Sequence, residues 1–145
     1  DFLAQAQEVI TVVATIGSRL EELTTQLMEE DPALALAVDA YGSAAVEELV
    51  VCVCRKIEEN YLAEGKYTSI PFSPGLEGWD LADGQKQVFS LVDAGKIGVT
   101  LTNESLMVPR KSSSFVIGLG KIPFQKTSTC EFCSMQKTCR YRDHK

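Results

Sequence analysis

Residues 29–62 read EEDPALALAVDAYGSAAVEELVVCVCRKIEENYL, and this stretch decides the fold. Asp31 can cap a helix whose first position is Pro32, because proline needs no amide partner there. The Ala, Val and Leu residues that follow predict a helix over residues 33–62, interrupted by Gly42. The acidic turn therefore separates one long helix from the segment before it.

The segments on both sides of this helix complete an outline of the fold. Upstream, apolar residues at helical spacing predict another helix over residues 2–30, in which Gly17 marks a break or a close approach of another element. Two helices joined by a short turn predict an antiparallel hairpin, whose wide apolar faces must pack on a sheet. Downstream, we predict an irregular segment at 65–84, a short helix at 85–91 and strands at 97–102 and 115–119, the last ended by Gly120.

The composition limits the classes of function. The 145 residues suffice for one domain, and a formal net charge of −6 argues against general binding of nucleic acid or anionic membranes. No apolar run reaches the ~18–20 residues of a membrane span, and no secretory signal is visible. Five cysteines without an export signal indicate thiols, metal or redox chemistry in the cytoplasm rather than a disulfide framework.

Three segments carry distinctive motifs in a fixed order along the chain. Residues 39–47 read DAYGSAAVE and place two acidic residues eight positions apart. Residues 72–79 read FSPGLEGW, and residues 98–109 read GVTLTNESLMVP, followed by Ser112 and Ser114. Together these segments resemble the activation domain of cobalamin-dependent methionine synthase and its stand-alone relatives, which have a similar acidic pair on a helix, a Pro-Gly-aromatic loop and a Leu-Thr-Glu-Ser, Met, Pro, Ser-x-Ser signature.

This resemblance implies an α+β fold in which the long helical hairpin packs on a twisted antiparallel sheet. Residues 1–126 would form the activation-domain-like domain and residues 127–145 a Cys-rich tail. Because the chain starts at Asp1 rather than at methionine, we expect the domain to lack part of its N-terminus. In the family, this domain binds S-adenosylmethionine and presents the methyl group to cob(II)alamin, while a flavodoxin-type protein supplies an electron.

The resemblance also implies the ligand-binding residues, which are Asp39, Glu47, Pro74, Gly75, Glu104 and Ser105. Asp39 and Glu47 share a helix face and could accept hydrogen bonds from the ligand's amine or ribose hydroxyls, or simply be solvated. Glycine in Pro74-Gly75 allows close approach of a ligand but also suits an empty tight turn. Glu104-Ser105 offers polar contacts to a ligand or a capped turn.

The ligand loop departs from the family pattern of Arg-x-x-Pro-Gly-Tyr. Pro71 stands at the Arg position and Leu76 at the Tyr position. A charge-assisted contact between arginine and a carboxylate is worth ~1.5–3 kcal/mol, so its loss weakens binding by about one to two orders of magnitude. Trp79 and Tyr67 flank the loop and could stack on an adenine or a corrin edge, or pack in the core.

A candidate metal site lies in the tail, and its ligands are Cys130, Cys133, Cys139 and His144. Their spacing, C-x2-C-x5-C-x4-H, is typical of a small zinc site, and the C-x2-C pair also suits an iron–sulfur cluster. Alternatively, Cys52 or Cys54 completes the ligand set, or the tail carries only reduced thiols. Cys52 and Cys54 lie two apart on a helix, where core packing is their commoner role. The tail is also basic, which suits either docking of an acidic partner or simple solvation.

These features support three hypotheses about function. In the first, the chain is an accessory of corrinoid-dependent methyl transfer that binds S-adenosylmethionine, a corrinoid protein or methyltransferase, and an electron-donor protein. In the second, it is a metal-stabilised interaction module whose S-adenosylmethionine site is degenerate. In the third, it is a methyltransferase subunit acting on another acceptor, although no general base is placed for that. Hydrolytic catalysis is not expected, because no Ser-His-Asp set or phosphate-binding glycine loop is present.

Overall fold

The computed structural model describes residues 3–125 and 137–138. The elements in chain order are β1 (Glu8–Thr15), α1 (Arg19–Glu30), α2 (Pro32–Leu62), β2 (Tyr67–Thr68), α3 (Leu81–Leu91), a 3-10 helix (Ala94–Ile97), β3 (Thr100–Leu101), β4 (Met107–Val108) and β5 (Ser112–Gly120). All strand pairs in this part of the chain are antiparallel, so the predicted α+β class is confirmed.

The helical hairpin forms at the acidic turn, as predicted. The Asp31 carboxylate accepts a hydrogen bond of 3.0 Å from the amide of Leu34, and Pro32 occupies the first turn of α2. Leu20 and Gly42 lie eleven residues on either side of Asp31, and the Leu20 side chain reaches within 3.6 Å of the point where a Cβ on Gly42 would lie. Helix α1 therefore runs antiparallel to the first third of α2.

Helix α2 is continuous, so the predicted interruption at Gly42 is wrong. The missing side chain at Gly42 instead leaves room for Lys111, whose Cε would lie 3.2 Å from an added Cβ. Glycine thus serves here as a contact point between α2 and a distant segment. Within the described residues, no helix combines the length and apolarity needed to cross a bilayer, the 31-residue α2 included.

The predicted helix over residues 2–30 is wrong at residues 8–15, which form the strand β1. Residues 9–13 read VITVV, and such β-branched side chains pack well on a pleated surface and favour extended backbone. Gly17, with a φ of +79°, marks the break before α1 begins at Arg19. Spacing alone could not distinguish the two structures, because the same apolar residues also fit a helical period.

Strand β5 is the centre of the main sheet, whose order is β1-β5-β2. Its residues 112–119 pair with β1, from Glu8 opposite Leu119 to Thr15 opposite Ser112. On its other side it pairs with β2 and forms a single bridge between Val116 and Phe72. The strand predicted at 115–119 is thus confirmed and is longer than expected.

Two other elements differ from their predicted bounds. The short helix predicted at 85–91 begins at Leu81, because the Asp80 carboxylate caps it by accepting from the amide of Asp83 at 3.0 Å. The strand predicted at 97–102 is reduced to β3. Gly98 takes the left-handed conformation, with a φ of 73°, at the end of the 3-10 helix and prevents an earlier start of the strand.

The two faces of β5 contact different helices. On one face, the Ser114 hydroxyl donates a buried hydrogen bond of 2.9 Å to the side-chain oxygen of Gln85 in α3. Alternation along the strand directs Phe115, Ile117 and Leu119 to the opposite face, where α2 contacts all three strands of the sheet. These three side chains are at most 2% exposed. Part of the core therefore lies between this sheet and α2, while α1 packs on α2.

Candidate functional site

A groove of about 690 Å³ lies between the second half of α2 and the segment at residues 70–76. Helix α2 contributes Val46, Glu47, Val50, Val51, Cys54, Arg55 and Glu58, at the spacing of one helix face. The other wall comprises Ile70, Pro71, Ser73, Leu76, Ser112 and Ser113. The volume lies within the ~300–1,000 Å³ typical of small-molecule sites.

The groove combines an aliphatic surface with a few charges. Valines from α2 face Ile70 and Leu76, which gives the groove a mainly apolar lining. Glu47, Arg55 and Glu58 supply the charged groups, and Arg55 is the one cation among the described residues that line it. An apolar cleft with a few polar groups suits a ligand that carries both an apolar body and charged or hydroxyl substituents.

Two cysteines flank Arg55 and differ in their surroundings. An Arg55 Nη2 donates to Cys52 Sγ at 3.5 Å, and Cys52 Sγ lies 3.7 Å from Glu48 Oε1. Burial raises the pKa of the Cys54 thiol and the charge of Glu58 raises it further, against a smaller opposing effect of a backbone hydrogen bond. The raised pKa favours the neutral thiol of Cys54, which lines the groove.

Pro74 and Gly75 form the tight turn that holds the groove's outer wall. Gly75 has a φ of +94°, and its amide donates to the Trp79 carbonyl at 2.9 Å. Pro74 packs on α3, since a Cβ on Gly84 would lie only 2.9 Å from the Pro74 Cβ. These two predicted site residues thus face α3, while Pro71, Ser73 and Leu76 on the same segment face the groove.

Trp79 supports this loop by packing. Its ring stacks on Phe72, with centroids 5.8 Å apart and planes inclined by 2°. Its indole N–H donates to the Gln87 side-chain oxygen at 2.9 Å, which links the loop to α3. Of the two roles that the sequence left open for Trp79, these contacts support core packing.

Asp39, the first predicted acidic residue, forms an ion pair with a residue outside the groove. Its carboxylate lies 2.8 Å from Lys111 Nζ, which also donates to Ser43 Oγ at 2.9 Å. The Lys111 side chain is only 11% exposed, and its backbone amide donates to a Glu21 carboxylate oxygen at 2.9 Å. This cluster fastens the start of β5 to both helices of the hairpin.

Replacing Asp39 with asparagine should lower the melting temperature most at neutral pH. The hydrogen bond from Lys111 holds the pKa of Asp39 below its ordinary value, so the ion pair stabilises the folded state above about pH 4 and is lost as the pH falls further. Thermal melts of both proteins between pH 7 and pH 3 should therefore converge at the acidic end. A constant difference across this range would show that the charge of Asp39 contributes nothing.

Glu104 and Ser105 lie in the turn between β3 and β4, which pair as a separate two-stranded sheet. The Glu104 amide donates to the Thr102 hydroxyl at 3.2 Å, and Ser105 is 3% exposed with a left-handed φ of 61°. Neither residue lines the groove. The contacts match the capped turn that was the alternative interpretation of this pair.

Glu47 is thus the predicted site residue that the structure places in the groove, and Arg55 is the main residue that the sequence did not reveal. Arg55 lies eight residues after Glu47, so following that helix face for two further turns would have found it. The predicted metal ligands Cys130, Cys133, Cys139 and His144 lie outside the described residues. Within residues 3–125 and 137–138, no group of three or more His, Cys, Asp or Glu side chains is arranged to hold a metal ion.

No protein-family model matches the chain, and a search of curated proteins found no match.

Proposed function

We propose that this protein is an accessory of corrinoid-dependent methyl transfer and that the groove along α2 binds S-adenosylmethionine. One observation carries the proposal. The three segments that resemble the activation domain, although far apart in the sequence, all contribute to this groove: Glu47 from the first, Ser73 and Leu76 from the second, and Ser112 from the third. A shared ligand is a simple reason for such segments to meet at one surface.

The chemistry of the lining supports the same ligand. The aliphatic surface of Val50, Val51 and Ile70 suits the apolar body of a nucleoside, and the Glu47 carboxylate can accept hydrogen bonds from ribose hydroxyls. Within the described residues, the Glu47 side chain has no hydrogen-bond or ion-pair partner. The ligand would present its methyl group to a corrinoid protein docked over the groove, while a separate electron donor reduces the cobalamin.

Calorimetric titration of the protein with S-adenosylmethionine tests the proposal, after purification without oxygen. We expect micromolar binding, and about tenfold weaker binding after Glu47→Gln, since a hydrogen bond to a charged group is worth ~1.5–3 kcal/mol. The neighbouring Glu48→Gln variant is the matched control, because Glu48 does not line the groove. Absence of binding at millimolar ligand would overturn the proposal.

The second candidate is a protein-interaction module that has lost the ligand site. The ion pair between Asp39 and Lys111 favours it, because a cation of the chain itself already occupies that carboxylate. In this case, the tail would hold zinc and the protein would bind no nucleoside. Metal analysis beside the titration separates the candidates, because one zinc per chain without S-adenosylmethionine binding is expected only for the module.

A further inference from the structure

We infer that Arg55 binds the carboxylate of the groove's ligand, and that this ligand is an elongated amino-acid derivative lying along α2. Its carboxylate would lie at Arg55 and its hydroxyl-bearing end at Glu47. The inference rests on the proposed function and adds to it the orientation of the ligand and the residue that selects for an amino acid.

The charge distribution of the groove is the first argument. A guanidinium presents several N–H donors in a planar fork that matches a carboxylate, and Arg55 is the one cation among the described lining residues. In the described part of the chain, no carboxylate lies within ion-pair distance of Arg55, whose described side-chain contact is the weak acceptor Cys52 Sγ. Its remaining donors are therefore available to an anion in the groove.

The spacing of the charges is the second argument. Arg55 and Glu47 lie eight residues apart on one helix, which corresponds to about 12 Å along its axis. The carboxylate and ammonium of a single amino acid are too close together to reach both residues. An elongated ligand that carries an amino acid at one end and hydroxyls at the other spans this distance.

The position of Arg55 also compensates for the proline at position 71. Pro71 offers no side-chain donor, but it lines the same groove as Arg55. The Arg55 guanidinium on α2 can therefore bind a ligand carboxylate for which Pro71 on the loop offers no donor. Because α2 is a rigid element, this cation is held in place more firmly than one on a loop would be.

Binding measurements with Arg55 variants test the inference. Wild-type protein, Arg55→Gln, Arg55→Lys and Lys56→Gln are titrated with S-adenosylmethionine, decarboxylated S-adenosylmethionine and methionine. We expect Arg55→Gln to weaken S-adenosylmethionine binding by at least about tenfold, and Arg55→Lys to weaken it less, because lysine keeps the charge but loses the fork. Decarboxylated ligand should bind wild type and Arg55→Gln equally. Lys56→Gln removes the same charge outside the groove and should change nothing.

The outcomes separate this inference from the proposed function. Equal binding of S-adenosylmethionine by wild type and Arg55→Gln would overturn the role of Arg55 and leave the function standing. Binding of methionine but not of S-adenosylmethionine, with loss in Arg55→Gln, would support the contact of Arg55 with a carboxylate but overturn both the elongated ligand and the proposed function. Binding of no ligand by the wild type would overturn both. Arg55 is exposed, so thermal melts should show that its variants remain folded.

Discussion

Replacing Phe115 with alanine should lower the free energy of unfolding by about 3–5 kcal/mol. Phe115 is fully buried on the central strand β5, on the face that packs toward α2. Removing its ring forfeits the transfer energy of the side chain and leaves a cavity that the paired strands on both sides cannot easily close. Urea denaturation followed by circular dichroism gives the value through linear extrapolation.

Ile122→Ala provides the control for Phe115→Ala. Ile122 lies two residues after the end of β5 and is also a large apolar residue, but it is 65% exposed. Its replacement should change the free energy of unfolding by no more than about 0.5 kcal/mol. A loss below 1 kcal/mol for Phe115→Ala would contradict the position of the core between the main sheet and α2.

Replacing Gly84 with valine should destabilise the protein by about 3 kcal/mol and disturb the groove's outer wall. A Cβ at this position would lie 2.9 Å from Pro74 Cβ and 2.9 Å from the indole nitrogen of Trp79. The two further methyl groups of valine cannot be accommodated unless the turn at Pro74 moves away from α3. Because that turn holds Ser73 and Leu76 in the groove, S-adenosylmethionine binding should weaken together with stability.

The fluorescence of Trp79 reports on this change directly, because it is the chain's only tryptophan. Its emission should shift in Gly84→Val as the stacking on Phe72 is lost. Lys86→Val places the same residue on the exposed side of α3 and should leave both stability and emission nearly unchanged. If Gly84→Val were as stable as Lys86→Val, the close packing of the loop on α3 would be disproved.

The secondary-structure elements that could be predicted are those determined by residues close to one another in the sequence. The carboxylate of Asp31 and the ring of Pro32 act within one turn, so the start of α2 and the hairpin could be inferred from neighbouring residues. Strand β1 was mistaken for a helix because its partner, β5, lies about a hundred residues away. Where the apolar spacing fits both a helix and a strand, pairing with a distant strand determines which of the two forms. The spacing within the segment does not reveal that partner.

The candidate site was predictable to a similar extent. Glu47 and the loop around Pro74 could be identified from residue type and resemblance, but the face of α2 turned toward that loop depends on tertiary packing. For this reason Arg55 was missed and Asp39 was assigned to a ligand, although its carboxylate pairs with Lys111. The sequence did not indicate that Lys111, 72 positions after Asp39, would lie beside it.

The central position of β5 has a consequence for synthesis of the protein. Strand β1 is synthesised well before its partner β5, which begins at Ser112, and the paired residues Glu8 and Leu119 are 111 positions apart. At about 5–20 residues per second, that delay is roughly 5–20 seconds. The helical hairpin can form during this time from local contacts, while the β-branched segment at residues 9–13 remains unpaired. A newly made chain therefore exposes, for several seconds, an unpaired and aggregation-prone strand of the kind that chaperones shield.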